Sequence, residues 1–574
     1  MKRYITLIIL TLAFISCATD PTQTPQPAPT IELDSESDNY ATKVDVELTI
    51  TPTYENVEGA TYLWSLDGVE ICSAAQLSYS WSERGDYYIL LTVSTDGGTA
   101  YREIKVEVSD VAAPVVSLVE SLETLYVAKG VEFTLVPSVT SADATSYCWR
   151  LDGAQIASTQ QLSYTLDEIG EYELTFTATN GDGDGSVEVD LRVVEEADVP
   201  FSWSFESVSY NISSGRKIRL KCWSVKGDCG GDYSWSIDGV EVQRGSSTEL
   251  IFDKTEVAEY RVNLTKYNSV GATAATQDIA VYVCGAEGTH KRTTSGEASF
   301  NVIYEFLPAP GQYVNNGYSC ATMEEAVAYA QGRLSSGAYL SLGAWGGYVV
   351  VGFDHSVECS GGYDLQIRGN YSSTSNEPGI VMVMQDENGD GLPNDTWYEL
   401  AGSETESGQQ IDDYAITYYR PTTSGADVRW VDNLGASGTI DYNTTHAQES
   451  YFPQWAEGDF ITLYGTALRS KSYSISSTSY VNPPFEWGYA DNQSEINSLP
   501  NGDTSASQSC NYFKITNAID YSGEAIALDY IDFVKIYTAV NDKAGWLGEI
   551  STEVCGVADY NMLSNVVKNS WFSQ

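Results

Sequence analysis

Three stretches of the chain repeat one pattern: Tyr62-Leu-Trp64-Ser-Leu-Asp67-Gly68, Tyr147-Cys-Trp149-Arg-Leu-Asp152-Gly153 and Tyr233-Ser-Trp235-Ser-Ile-Asp238-Gly239, with the tryptophans 85 and 86 positions apart. Each is followed by a second echo, Gly85-Asp-Tyr87, Gly170-Glu-Tyr172 and Ala258-Glu-Tyr260, that leads into alternating apolar and polar residues. In the second copy Tyr172, Leu174, Phe176 and Ala178 alternate with Glu171, Glu173, Thr175 and Thr177, the period of a half-buried strand. Ile104/Val106/Val108, Val187/Val189/Leu191 and Ile279/Val281/Val283 close the copies in the same way. A strand-rich unit of this length with one central Trp predicts an immunoglobulin-like β-sandwich, here three in tandem.

The recurring Tyr, Trp, Asp-Gly and Gly-x-Tyr positions resemble the PKD-like family of extracellular modules, over residues 30–110, 111–196 and 197–284. Asn180 and Asn268 occupy the family's asparagine position, where the first copy has Thr95. The resemblance implies that the array is a spacer and that function lies beyond residue 284. Asn180-Gly-Asp182-Gly-Asp184-Gly185 looks like a calcium loop, but Asp96-Gly97-Gly98 and Asn268-Ser-Val-Gly271 fill the same hairpin without that acidity. A plain turn is therefore expected.

The chain opens with Lys2, Arg3 and an apolar run from Ile5 to Ile15, about half the length a bilayer-spanning helix needs. It reads as a signal peptide, and Cys17, preceded by a small residue, resembles the lipobox cysteine of bacterial lipoproteins. That resemblance implies residues 1–17 as signal peptide and lipobox, lipid on Cys17, and an outer-membrane, cell-surface protein held by its lipid alone. Residues 18–29, including Pro21 to Pro29, form a Pro-rich tether. A formal charge of −49, from 79 acidic against 30 basic residues, repels phosphate backbones and excludes nucleic acid as a partner. With 42% hydrophobic residues the chain still builds cores, so the acidity belongs to surfaces and not to disorder. Nine cysteines remain after Cys17, an odd number whose pairing the sequence does not reveal.

A Gly/Thr/Ser-rich linker, 285–299, leads into a tail, 300–574. Thr322 with Glu325 three residues on forms a capping box, and Met323, Ala326, Val327, Ala330 and Leu334 make one apolar stripe, predicting a helix. Tyr348–Phe353, Ile380–Met384, Ala415–Tyr419, Phe460–Tyr464 and Ile531–Tyr537 read as strands. The expected class is all-β: three tandem immunoglobulin-like sandwiches, then a larger jelly-roll-like β-sandwich with one short helix.

Six segments of the tail, "PAPGQYVN" (308–315), "GGYVVVGFDHSV" (346–357), "EPGIVMVMQDENGDGLPNDTWYEL" (377–400), "WGYADN" (487–492), "IDFVKIYTAVN" (531–541) and "GEISTEV" (548–554), resemble a family of Bacteroidetes cell-surface lipoproteins. "DLQIRGN" (364–370), around Arg368, departs from related jelly-roll domains by lacking an acidic position after its strand. The resemblance implies surface exposure, association with a TonB-dependent outer-membrane transporter, and capture of a small-molecule or glycan ligand, with cobamides and glycans the two classes. The alternative is an adhesin or structural surface protein binding host or neighbouring-cell glycoconjugates.

Within the third of these segments Asp386, Asn388 and Asp390 stand at relative positions 1, 3 and 5, Leu392 offers a carbonyl at 7, and Gly389 and Gly391 allow a sharp turn. Such spacing suits Ca²⁺. An EF-hand's closing glutamate would fall on Trp397, so Asp395 or Glu399 must complete the shell. No His-Glu-x-x-His, Gly-x-Ser-x-Gly or Cys-x-x-Cys is present, and the three histidines, His290, His355 and His446, have no useful partners in sequence; a glycan-active hydrolase is the lesser reading and a non-enzymatic protein the expected one. Asp532, Glu549 and Glu553 stand in the family-like segments, as hydrogen-bonding acids or ligands of a second cation. Tyr451, Trp455, Trp487 and Tyr489 are the aromatic candidates for stacking on a sugar or corrin ring, against the alternative that they fill a core.

Overall fold

The computed structural model of the chain describes residues 26–35, 39–109, 113–139, 146–293, 296–476, 479–494, 509–544 and 548–563. Cys17 and the signal segment lie outside the described residues.

Each repeat folds into a sandwich for reasons visible in its own residues. Thr61–Leu66, Ser146–Leu151 and Tyr233–Ile237 are the strands carrying the tryptophans, and each turns into the next strand through its Asp-Gly pair. Asp67, Asp152 and Asp238 (φ 51°, 48° and 51°) and the glycines after them (75°, 79° and 80°) both take left-handed backbone, the two-residue turn whose twist matches its flanking strands. Trp64, Trp149 and Trp235 are fully buried, and each indole N–H donates to a loop carbonyl, of Ala74 (2.8 Å), Thr159 (3.1 Å) and Ser247 (3.3 Å). The Gly-x-Tyr echo is a tyrosine corner: the hydroxyls of Tyr87, Tyr172 and Tyr260 donate to the carbonyls of Glu83, Glu168 and Glu256, four residues upstream. Every copy has a five-stranded sheet in the same order, its first strand parallel to its last, as in Ser209–Ser213 against Thr273–Cys284, with a two-stranded sheet opposite. Asn180 Oδ1 accepts from the amides of Asp182 (2.9 Å) and Gly183 (3.1 Å) at its hairpin.

The tail is built on a six-stranded antiparallel sheet in the order Val302–Leu307, Tyr348–Glu358, Tyr530–Thr538, Gly379–Met384, Trp397–Leu400, Ala518–Ile519. One face packs on the helix Met323–Ser335 and on a three-stranded sheet, Ser509–Phe513, Leu365–Gly369 and Gly556–Asp559, through Val349, Val351, Val381, Val383, Val534 and Ile536. The other face packs on a four-stranded sheet, Ser437–Ile440, Val428–Asp432, Ile411–Tyr419 and Phe460–Ala467, through Ile380, Tyr537 and Trp345. A strand covered on both sides is mostly apolar on both faces, which is why "GIVMVM" and much of "YIDFVKIYT" do not alternate. The helix begins where expected, Thr322 Oγ1 accepting from the Glu325 amide at 3.2 Å, and buries Ala326, Ala330 and Leu334. A second short helix, Ser403–Ser407, was not legible in the sequence.

The array does not stand clear of the tail as a free spacer would. Asn211 Nδ2 donates to the Asn394 carbonyl (2.9 Å), Thr396 Oγ1 to the Asn211 carbonyl (3.0 Å), and Asp413 pairs with both Arg219 and Lys221 of the third repeat. Tyr101 and Tyr88 of the first repeat pack on Tyr473 and Tyr480 of a tail hairpin, at ring separations of 5.1 and 6.1 Å. The nine cysteines after Cys17 are free thiols, most of them buried. Among the described residues no helix is long and apolar enough to cross a membrane.

Candidate functional site

Four of the tail segments that carry the resemblance meet in space. The Glu377 amide donates to the Asp491 carbonyl (3.1 Å), Gly379 and Ala490 exchange both backbone hydrogen bonds, and the Ser551 amide donates to Glu377 Oε1 (3.2 Å). "EPGI", "WGYADN" and "GEISTEV" thus form one knot, and "PAPGQYVN" joins it where the Gln312 amide donates to Glu549 Oε1 (2.8 Å).

At the centre stand three carboxylates. Glu377, Asp491 and Glu553 each bring an oxygen within 4.8 Å of the others, the one such group of three acidic, His or Cys ligands among the described residues. Asp491, fully buried and at φ 50°, is held by amides: Asn370 (2.6 Å) and Tyr371 (2.8 Å) donate to Oδ1 and Glu553 (3.0 Å) to Oδ2. A side chain at residue 369 would put its Cβ 2.3 Å from Asp491 Oδ1, so this approach requires Gly369. Burial, then the neighbouring Glu377 charge, pushes Asp491 up to about 8. Burial raises Glu377 too, and burial plus the Glu377 and Asp491 charges lift Glu553 well above the carboxylate range. Three such groups cannot all ionise side by side; the cluster holds protons, or it holds a cation.

Glu549 is a few residues from Glu553 and faces a different space. It lines a cleft of about 340 Å³ with Ile440, Asp441, Tyr442, Asn443, Lys543 and their neighbours. Its carboxyl is 4% exposed, Oε1 is held by the Gln312 amide, and Oε2 has no hydrogen-bond partner. Burial pushes it up to about 8, well above the ordinary carboxylate range. Lys543 Nζ pairs with Asp441 Oδ2 at 2.7 Å along the wall. Tyr313, 42% exposed, has its ring 5.3 Å from that of His446 and feels the charges of Glu553, Glu549 and Glu377, which places an open aromatic face beside both cleft and cluster. Tyr313 and Glu377 were not singled out from the sequence, although both sit in segments that carry the resemblance.

The proposed stacking aromatics are not at a surface. Tyr451, Trp455 and Tyr489 are buried, the first against Tyr442 at 5.2 Å, the second with its indole N–H donating to the Phe306 carbonyl, the third with its hydroxyl accepting from the Glu404 amide. Their area is worth more inside two packed layers than on a ligand, and only Trp487 is partly exposed. Tyr451 keeps an indirect part, since it backs the cleft wall and its hydroxyl donates to the Asn443 carbonyl (3.2 Å).

The expected calcium shell is also arranged differently. Asp386 accepts from the amides of Gly389 (2.8 Å) and Gly391 (3.1 Å), Asn388 Oδ1 from Asp390 N (2.9 Å), and Asp390 Oδ1 from Leu392 N (2.8 Å). Asp390 Oδ2 accepts from Asn388 and Asn394 side chains (2.9 and 2.8 Å). Glu399 leaves along its strand to accept from Thr466 Oγ1 (2.6 Å). The tight loop's own donors are the nearest partners of these acids, and Asp386, Asp390, Asp395 and Glu399 form no converging group of three. Asp532, fully buried, anchors the loop from below: it accepts from the Asp386 amide (2.8 Å) and Ser356 Oγ (2.6 Å) and pairs with Arg292 (2.9 Å).

Comparison with known proteins places the front of the chain. Residues 28–95 and 113–180 match the family model described as a PKD-like domain. No curated protein matches the chain. Among solved structures, the chain is similar to the SGBP-B protein of a Bacteroides ovatus mixed-linkage glucan utilization locus in complex with a heptasaccharide, at 15% identity over 79% of this chain and 98% of that one, with a TM-score of 0.18. It is also similar to fibronectin(III)-like modules of Clostridium thermocellum CbhA, at 14% identity over 29% and 95% of the two chains, TM-score 0.15. Scores this low carry no argument about what the tail binds. The chain is an all-β protein whose tandem sandwiches include PKD-like domains, followed by a β-sandwich region with two helices.

Proposed function

We propose that this is a non-enzymatic, lipid-anchored surface protein that captures a glycan at the Glu549 cleft and passes it to an outer-membrane transporter of the TonB-dependent kind. The observation that carries the reading is Glu549 itself, a buried carboxyl with one oxygen unpartnered, in a residue that lines a cleft. An unmade hydrogen bond of that kind costs free energy unless a ligand or water completes it. A hydroxyl-rich ligand suits the walls, with Asp441, Asn443 and Lys543 as polar partners and Tyr313 as a ring face nearby. At about 340 Å³ the cleft lies at the small end of the roughly 300–1,000 Å³ range of ligand pockets, room for one or two sugar rings and not for a corrin macrocycle. Glycan is therefore favoured over cobamide. The PKD-like array then braces the tail as well as distancing it from the membrane.

The test is a binding screen of the full chain against glycans and cobamides, with E549Q and Y313A beside it. A glycan that binds, loses at least tenfold in affinity in both variants and is recovered uncut supports the reading. Cobamide binding without glycan binding, or release of new reducing ends, overturns it.

A further inference from the structure

The seam between the third sandwich and the tail contains a second cluster of buried polar side chains, distinct from the cleft and from the Glu377 group. Its residues come from the loop after Gly379–Met384. Glu387 and Asp395 are each 6% exposed, and Tyr398, on the strand Trp397–Leu400, is 2% exposed. The Glu387 backbone amide donates to Asp395 Oδ2 at 3.1 Å, and the Glu387 charge is the strongest acting on Asp395. Beyond that bond the cluster is short of partners: both oxygens of Glu387, Oδ1 of Asp395 and the Tyr398 hydroxyl make no hydrogen bond. Ser213 of the third sandwich lies close enough to favour the Glu387 anion, although it makes no hydrogen bond of ordinary geometry with it. Cys284, at the end of that sandwich's last strand, feels Asp395 and then Glu387, and Glu387 is the strongest charge acting on Tyr398.

Four unpartnered oxygens on three buried side chains are a costly arrangement if nothing lies between them. Burial raises both acids, and the Glu387 charge raises Asp395 further. Two protons would remove the charge but supply only two of the contacts that four oxygens can make. A cation supplies them together. We propose that Glu387, Asp395 and Tyr398 hold one divalent cation of the calcium class at the seam between the third sandwich and the tail. Glu387 offers two oxygens and Asp395 one, the Tyr398 hydroxyl binds directly or through a water, and waters complete an irregular oxygen shell that suits Ca²⁺ better than the strict octahedron of Mg²⁺. The cation sits where Asn211 grips Asn394 and Thr396, so it ties the loop that docks the third sandwich.

Calorimetric titration of CaCl₂ into the full chain, stripped of metal with chelator, tests this. Saturable uptake is expected, lost at least a hundredfold in E387Q and in D395N and unchanged in E324Q, on the exposed first turn of the helix Met323–Ser335. Y398F keeps both carboxylates and should weaken the affinity roughly tenfold, as loss of a supporting partner does at metal sites; it decides the matter if either acid variant fails to fold. The proposal is overturned if the unmodified chain takes up no calcium, if Y398F and the acid variants bind as it does, or if E377Q abolishes uptake, which would assign the ion to the Glu377 group. Glycan capture at the cleft is read out separately and stands or falls on its own.

Discussion

A single carboxyl shows how burial turns into pH dependence. Glu549 has a folded-state value of about 8, above the ordinary 4.5, so the folded tail holds this proton more tightly than the unfolded chain does. The stability it contributes is full below about pH 4.5 and is lost as pH rises through about 8. E549Q, which keeps the neutral shape, should flatten that part of the tail's melting profile; a variant with the same slope as the unmodified chain would remove Glu549 as its source. Gly369 makes a steric prediction at the same scale. G369A drives a Cβ to 2.3 Å from a carboxylate oxygen fixed by amides, and overpacking of this kind costs about 1–3 kcal/mol in denaturant unfolding of the tail.

Elements carry their own tests because their causes are local. The helix Met323–Ser335 leans on Thr322, and T322A should destabilise the tail by about 1 kcal/mol, the usual worth of an N-cap. The tyrosine corner of the second sandwich is one hydrogen bond, Tyr172 to the Glu168 carbonyl at 2.9 Å. Y172F keeps the ring and loses the donor, so about 1 kcal/mol is expected from that domain's unfolding, with the other two sandwiches unchanged. The "DENGDGLPND" turn belongs here too. Its acids serve its own amides, and the one acid of the expected shell that is buried with an unpartnered oxygen, Asp395, points to a neighbour, Glu387, that the EF-hand-like spacing had passed over.

Over the whole molecule the decisive contacts join domains. Asp413 pairs with Lys221 and Arg219; burial raises its value, but these two cations outweigh burial and leave it below the ordinary 3.8. A depressed carboxylate contributes stability above its unfolded value and loses it as pH falls through the folded one, so this ion pair's share of the seam's stability should be lost below about pH 4. D413A should loosen it at neutral pH, seen as faster amide exchange over Ile218–Lys221 with the third sandwich's core unaffected. At the other end of the chain, C17S should release the protein from membranes, and retention there would end the lipoprotein reading.

What the sequence by itself determined was whatever repeats or caps locally. The Trp spacing, the Asp-Gly turns and the Gly-x-Tyr corners define three sandwiches, because a two-residue turn needs left-handed backbone at both positions and a buried indole needs a nearby carbonyl. The capping box and its stripe define the helix in the same way. Only the tertiary structure decided the rest. Glu377, Asp491 and Glu553 come from three separate segments, and Gln312 reaches Glu549 from a fourth; nothing in their spacing encodes that meeting, which is made by backbone contacts between loops far apart in the chain. The aromatics chosen for stacking looked the same in sequence whether they faced a ligand or a second layer, and a sheet covered on both faces drew Tyr451, Trp455 and Tyr489 inward. With 79 acidic residues in the chain, composition cannot mark the few that matter. Burial singles them out, because removing a carboxyl from water makes its missing partners costly.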